Sequence, residues 1–187
     1  YRTPSTYVRT AKVLVDESDQ DAAMRNLGVS TANMMRLRSA NTVMNEIEAF
    51  SSPDLMEAVV ERLDLQTKYV QNQFLRDVEL YGNSPIELVL AGENPHSGFS
   101  FIVGNAGNGK IKLSDFRIRD EKIKDVVTGQ LGDTLATPFG AMVIHPTIYK
   151  ENFKHDITVS WNTAMARAKA YGSKINVSLS GKETSVI

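Results

Sequence analysis

The sequence predicts an α+β protein, with a mixed, mostly antiparallel sheet and helices packed on one face. Three observations predict it. Helical periodicity is concentrated before residue 65, short β-prone runs broken by Gly, Asn and Pro dominate the middle, and one helical pattern separates the last two strand patterns. The chain has 187 residues, of which 42% are hydrophobic and 23% charged, enough apolar material for a buried core. That length suits one ordinary domain, or a core domain with an excursion.

Val8 to Val15 alternates around Ala11, Val13 and Val15 and predicts a first strand. Asp21 to Leu27, closed by Gly28, predicts one or two helical turns, and the Met34–Leu37 segment reads weakly as helix. Val43, Ile47 and Phe50 lie four and three apart, on one helical face. Ser52-Pro53-Asp54 starts a second helix: serine can cap free amides, proline suits the first turn and an acid favours the dipole. Leu55, Met56, Val59, Val60 and Leu63 form its expected buried stripe. Beyond a Gly82-Asn83-Ser84-Pro85 turn, strands are expected at Ile86–Ala91, Phe99–Val103, Lys110–Phe116, Met142–Ile144 and Ile157–Trp161. Asn162–Ser173 is expected to be helical, with Ala164, Ala168 and Tyr171 on one face, and Ile175–Leu179 to be the closing strand.

Composition narrows the function classes. The formal net charge is −1 and the isoelectric point is about 6.4, so electrostatics provide no reason to expect nucleic acid or an anionic membrane as partner. No apolar run approaches the roughly 18 residues needed to span a bilayer. The absence of cysteine removes disulfides, thiolate ligands and cysteine nucleophiles without fixing the compartment.

Gly104-Asn105-Ala106-Gly107-Asn108-Gly109-Lys110 has the spacing of a phosphate-binding loop. That chemistry also needs a hydroxyl after the lysine and a helix whose first amides face the phosphates. Ile111 follows instead, and Ile111-Lys112-Leu113 alternates like a strand, so a hairpin turn is expected. His96, His145 and His155 lack ligand spacing and are expected in loops or at strand ends. No Gly-x-Ser-x-Gly elbow occurs, and Ser180-Gly181 reads as a turn. Glu46/Glu48 and Asp115/Asp120 read as solvated surface charge, and Trp161 as core. Asn176-Val177-Ser178 fits the glycosylation pattern but is discounted because it falls in an expected strand. No catalytic, cofactor-binding or metal-binding residue is therefore assigned, and no cofactor is expected.

Four ordered segments resemble the Wzz-type chain-length determinant domain, shared by polysaccharide co-polymerases and bacterial tyrosine autokinases. They are Tyr7 to Val15; Asn45-Glu46-Ile47 with Ser52 to Met56, Val59-Val60 and Leu63-Asp64-Leu65; Tyr81 to Ile86; and Thr137-Pro138-Phe139-Gly140 with the later Ile157-Thr158-Val159 and Ala170-Tyr171. Ser18–Arg38 and Gln66–Val78 match least. The resemblance implies a Wzz-like base domain, with 1–187 a single truncated extracytoplasmic domain. It implies a non-catalytic role in regulating polysaccharide chain length and export, on the periplasmic side of the bacterial inner membrane. Implied partners are further copies of the chain and the polysaccharide polymerase or export machinery, with no nucleic acid and no membrane insertion by this segment. A cytoplasmic tyrosine kinase could follow in the full protein. Tyr1 is expected close behind a membrane helix, and Ile187 is expected to fall inside the extracytoplasmic region. The piece itself is expected to be monomeric or weakly associated. The alternatives are a carbohydrate-active or nucleotide-binding enzyme, or an unrelated extracytoplasmic binding module.

Overall fold

The structure, a computed structural model, describes residues 8–13, 44–45, 47–74, 76–92, 95–119 and 121–178. The chain forms two compact units: Tyr1–Val59 with Ala168–Ile187, and Val60–Arg167. The expected helices at Asp21–Leu27 and Met34–Leu37, and the Ser180-Gly181 turn, lie outside the described residues.

In the first unit a helical segment ends at Phe50, as the Ile47/Phe50 spacing predicts, and Ser51 and Ser52 donate backbone hydrogen bonds to Ile47 and Ala49. Helix α1 (Pro53–Arg62) then starts at the expected serine–proline step, with Asp54 in its first turn and Arg62 in its last. The Ser52 carbonyl accepts the Met56 N–H at 3.2 Å. The expected buried stripe is narrower than the sequence suggested. Val60 is fully buried, Met56 and Val59 are half-buried, and Leu55 and Leu63 are exposed. Residues 8–13 and 175–178 belong to no strand and are largely exposed, contrary to expectation. Alternation supplies a strand's faces, but only a ladder partner supplies its hydrogen bonds, and these segments have none among the described residues.

The second unit holds ten strands among the described residues: β1 (Thr67–Asn72), β2 (Asp77–Glu79), β3 (Ile86–Leu90), β4 (Phe99–Gly107), β5 (Lys110–Ile118), β6 (Glu121–Ile123), β7 (Val127–Gln130), β8 (Thr134–Thr137), β9 (Gly140–Pro146) and β10 (Ile157–Trp161). A 3-10 turn (Lys150–Asn152) precedes β10, and helix α2 (Ala164–Gly172) follows it. The larger sheet runs β2-β1-β10-β4-β5-β6, with β7 also paired to β5; the smaller runs β3-β9-β8. Every described pairing is antiparallel, in keeping with the predicted α+β class.

The core is one cluster shared by the two sheets. Phe99, Phe101, Val103, Leu113, Phe116, Ile157, Val159 and Trp161 from the larger sheet meet Ile86, Leu88, Leu135, Met142 and Ile144 from the smaller. Alternation places these residues inward and Ser100, Ile102, Thr158 and Ser160 on the other face. Phe99 stacks on Phe139 at 4.6 Å and on Trp161 at 5.5 Å, and Phe101 stacks on Phe116 at 5.7 Å. Arg167 in α2 donates to the Gln66 carbonyl (3.1 Å) and the Ser160 carbonyl (2.8 Å), fixing the start of that helix against the ends of β1 and β10.

Candidate functional site

The phosphate-loop spacing folds as a hairpin. β4 and β5 pair up to Gly107↔Lys110, leaving only Asn108 and Gly109 in the turn, with φ of 52° and 75°. Two successive positive φ values define the type I′ turn, which Asn-Gly favours. The Asn105 side chain accepts the Gly107 N–H at 2.8 Å and donates to the Phe153 carbonyl at 2.7 Å, and the Gly109 carbonyl accepts the Leu131 N–H at 2.9 Å. Lys110 opens a strand, so no helix presents amides to a phosphate here.

The three histidines do not converge. His96 is exposed in a loop, His145 is exposed near the end of β9 opposite Glu87, and His155 is exposed before β10. Among the described residues no three His, Asp or Glu side chains are grouped to hold a metal. Glu48 is exposed; Glu46 and Asp120 lie outside the described residues. Asn176 is exposed and not in a strand, which removes the structural ground on which its glycosylation pattern was discounted.

Asp115 is the acid that sequence reasoning misplaced. The β4–β5 register shifts between Ser100 and Ile102, so Phe101 faces both Asp115 and Phe116 across a bulge. Asp115 takes the positive φ there, 54°. Its carboxylate pairs with Arg117 at 3.0 Å and with Lys122. The Lys122 hydrogen bond lowers its pKa below the usual carboxylate value; desolvation opposes this, and the Arg117 hydrogen bond and the charges of both cations add to the lowering. Both cations are more than half exposed, so this is a conformational clamp on a bulge with little ion-pair energy behind it.

Tyr69 was also missed. It sits in β1, in a run with no apolar alternation, and its hydroxyl accepts the Leu88 N–H at 2.8 Å, joining the larger sheet to β3. Burial pushes the phenol up to about 12, opposed by the Leu88 hydrogen bond and assisted by Glu87. Two of the sequence motifs lie at opposite ends of β9. Ser84 is buried, donates to the Ile86 carbonyl at 2.7 Å and accepts the Ile86 N–H at 3.4 Å; Thr147 donates to the Ser84 carbonyl at 2.5 Å. Thr137 closes the Pro138-Phe139 turn by donating to the Gly140 carbonyl at 2.7 Å, where Gly140 has a φ of 108°.

Among the described residues of the first unit, a cleft of about 240 Å³ is lined by Phe50, Pro53, Met56, Lys169, Ile175 and Val177. It is smaller than the roughly 300–1,000 Å³ typical of ligand sites, and no acid–base pair lines it. No helix among the described residues is long and apolar enough to cross a membrane. Comparison with protein-family models, curated proteins and solved structures finds no match.

Proposed function

We propose that this chain is an extracytoplasmic domain of a bacterial polysaccharide co-polymerase. It regulates polysaccharide chain length and export as part of a membrane-anchored homo-oligomer. The observation that carries the proposal is the ordered set of chain-length-determinant segments, together with where they fall in the fold. Ser52-Pro53 starts α1, Tyr81 to Ile86 leads into β3 through the Ser84 hydrogen bonds, Thr137 to Gly140 closes the β8–β9 hairpin, Ile157 to Val159 lies in the interior strand β10, and Ala170-Tyr171 lies in α2. Those segments begin or lie within regular elements, where a shared fold would constrain residue type, whereas the Tyr7–Val15 segment forms no strand over residues 8–13 and lends no such support.

Such a role works through repetition. A ring of identical subunits needs rigid domains whose modest lateral contacts are multiplied by symmetry, and a sheet pair with a shared aromatic core supplies that rigidity. The test is genetic and chemical. Deleting the parent gene should change the length distribution of the cell's surface polysaccharide on a gel, and supplying the gene in trans should restore it. An unchanged distribution in the deletion strain would refute the proposal.

A further inference from the structure

We infer that Tyr69 and Ser84 form a side-chain cap on the free edge of β3, which keeps this strand from pairing with a second copy of the chain. A strand at a sheet edge presents unpaired N–H and C=O groups, and long apolar edges recruit other chains. The second unit has several such edges. β2 and β6 have three residues each and carry charges, and β7 and β8 have four each. β3 is longer and more apolar, Ile86-Glu87-Leu88-Val89-Leu90, and lies at the border of the smaller sheet. On length and composition it is the edge most prone to pair with another chain.

The register shows which of its groups face outward. The Thr147 N–H reaches the Pro85 carbonyl and the Ala91 N–H reaches the Ala141 carbonyl, so the odd-numbered residues bond toward β9. Antiparallel pairs alternate, which turns the main-chain groups of Ile86, Leu88 and Leu90 away from β9. Two of these three outward residues are engaged by side chains. The Ser84 hydroxyl occupies both polar groups of Ile86, and the Tyr69 hydroxyl takes the Leu88 N–H. A short apolar strand is thereby closed without a charge or proline in its outward-bonding positions.

The test compares the 187-residue chain with Tyr69→Phe, Ser84→Ala and the double variant by sedimentation velocity over a concentration series. Hydrogen exchange of the β3 amides is followed in parallel. Tyr69→Phe keeps the ring and removes only the acceptor. The double variant is expected to self-associate at least roughly tenfold more strongly than the unsubstituted chain, the size of effect two regained ladder hydrogen bonds supply. Adding Val89→Lys, which places a charge on an exposed position of the same strand, should reverse the association. If the double variant does not fold, Tyr69→Phe alone carries the test, and an unchanged sedimentation profile overturns the proposal. Faster exchange at Leu88 with no gain in association, or association that Val89→Lys leaves intact, also overturns it.

Discussion

The two faces of the larger sheet are built from the same strands yet follow different rules. Along β4 and β10 the inward residues are Phe99, Phe101, Val103, Ile157, Val159 and Trp161, all buried, and they share one core with the smaller sheet. The residues between them, Ser100, Ile102, Thr158 and Ser160, are half-buried and mostly carry hydroxyls. Asn72 and Thr158 exchange side-chain hydrogen bonds at 3.0 and 3.1 Å across this second face. Stability is therefore concentrated on one side of the sheet. The other side can change in sequence at little cost to the fold.

The inner face should break first. Phe101 is fully buried between Phe99 and Phe116, with ring centroids 6.1 and 5.7 Å away. Phe101→Ala should cost about 3–5 kcal/mol in denaturant unfolding, from lost transfer energy and the cavity left behind. Tyr69, at the rim of this face, links the comparison to pH. Its folded pKa of about 12 lies above the ordinary 10.0 because burial penalises the phenolate. The neutral form is thus favoured in the fold. Its stabilising contribution is complete below pH 10 and is lost as pH rises from 10 toward 12, by roughly 2–3 kcal/mol if the full shift is realised. The drop in melting temperature between pH 9 and 11 should be smaller in Tyr69→Phe than in the unsubstituted chain. At neutral pH that variant should be less stable by about 1–3 kcal/mol, because the Leu88 N–H loses its acceptor.

The same contrast explains what could be read from sequence. β10 is predicted residue for residue as Ile157–Trp161, because one face is buried and the other is not, and that asymmetry writes period two into the chain. Asn108-Gly109 likewise states its turn type through the only backbone conformations it favours. β1 has no such signature. Thr67 to Asn72 is half-buried at every residue, so burial follows no alternation and the strand next to β10 goes unseen. β6, β7 and β8 are too short for a period to emerge. Ile175 to Ser178 shows the opposite failure, alternation without a described ladder partner. Of the β3 cap, Ser84-Pro85 is visible as a turn signal before an apolar strand, but nothing local reveals that Tyr69 reaches Leu88, a contact spanning 19 residues. The bulge at Asp115 is a mismatch of register between two strands, and neither strand encodes it alone.

That bulge supplies the next test in size. Asp115→Ala keeps a side chain at a φ of 54°, where alanine is strained, and removes the carboxylate that Arg117 and Lys122 hold. It should lower the melting temperature measurably, whereas Asp115→Gly, which relieves the backbone strain, should recover part of the loss. The pH dependence has the opposite sense to that of Tyr69. The folded carboxyl lies below its ordinary 3.8, so its contribution is present above that value and disappears as pH falls through the folded pKa. Acid titration of stability in the unsubstituted chain, compared with Asp115→Gly, isolates it.

The smallest effect belongs to the outer face and sharpens the contrast most. Ser100 lies opposite Ser160 on one side and Arg117 on the other, half-buried and adjacent in sequence to two buried phenylalanines. Ser100→Thr retains the hydroxyl, adds one methyl to a half-buried position, and raises β-propensity. It should shift unfolding by no more than about 0.5 kcal/mol, in either direction. Two substitutions at neighbouring positions of β4, Ser100→Thr and Phe101→Ala, would then differ several-fold in cost although both leave the ladder hydrogen bonds in place. Should Ser100→Thr instead cost as much as a core truncation, the outer face would have to be a packed layer in its own right, and the division between the two sides of this sheet would fail.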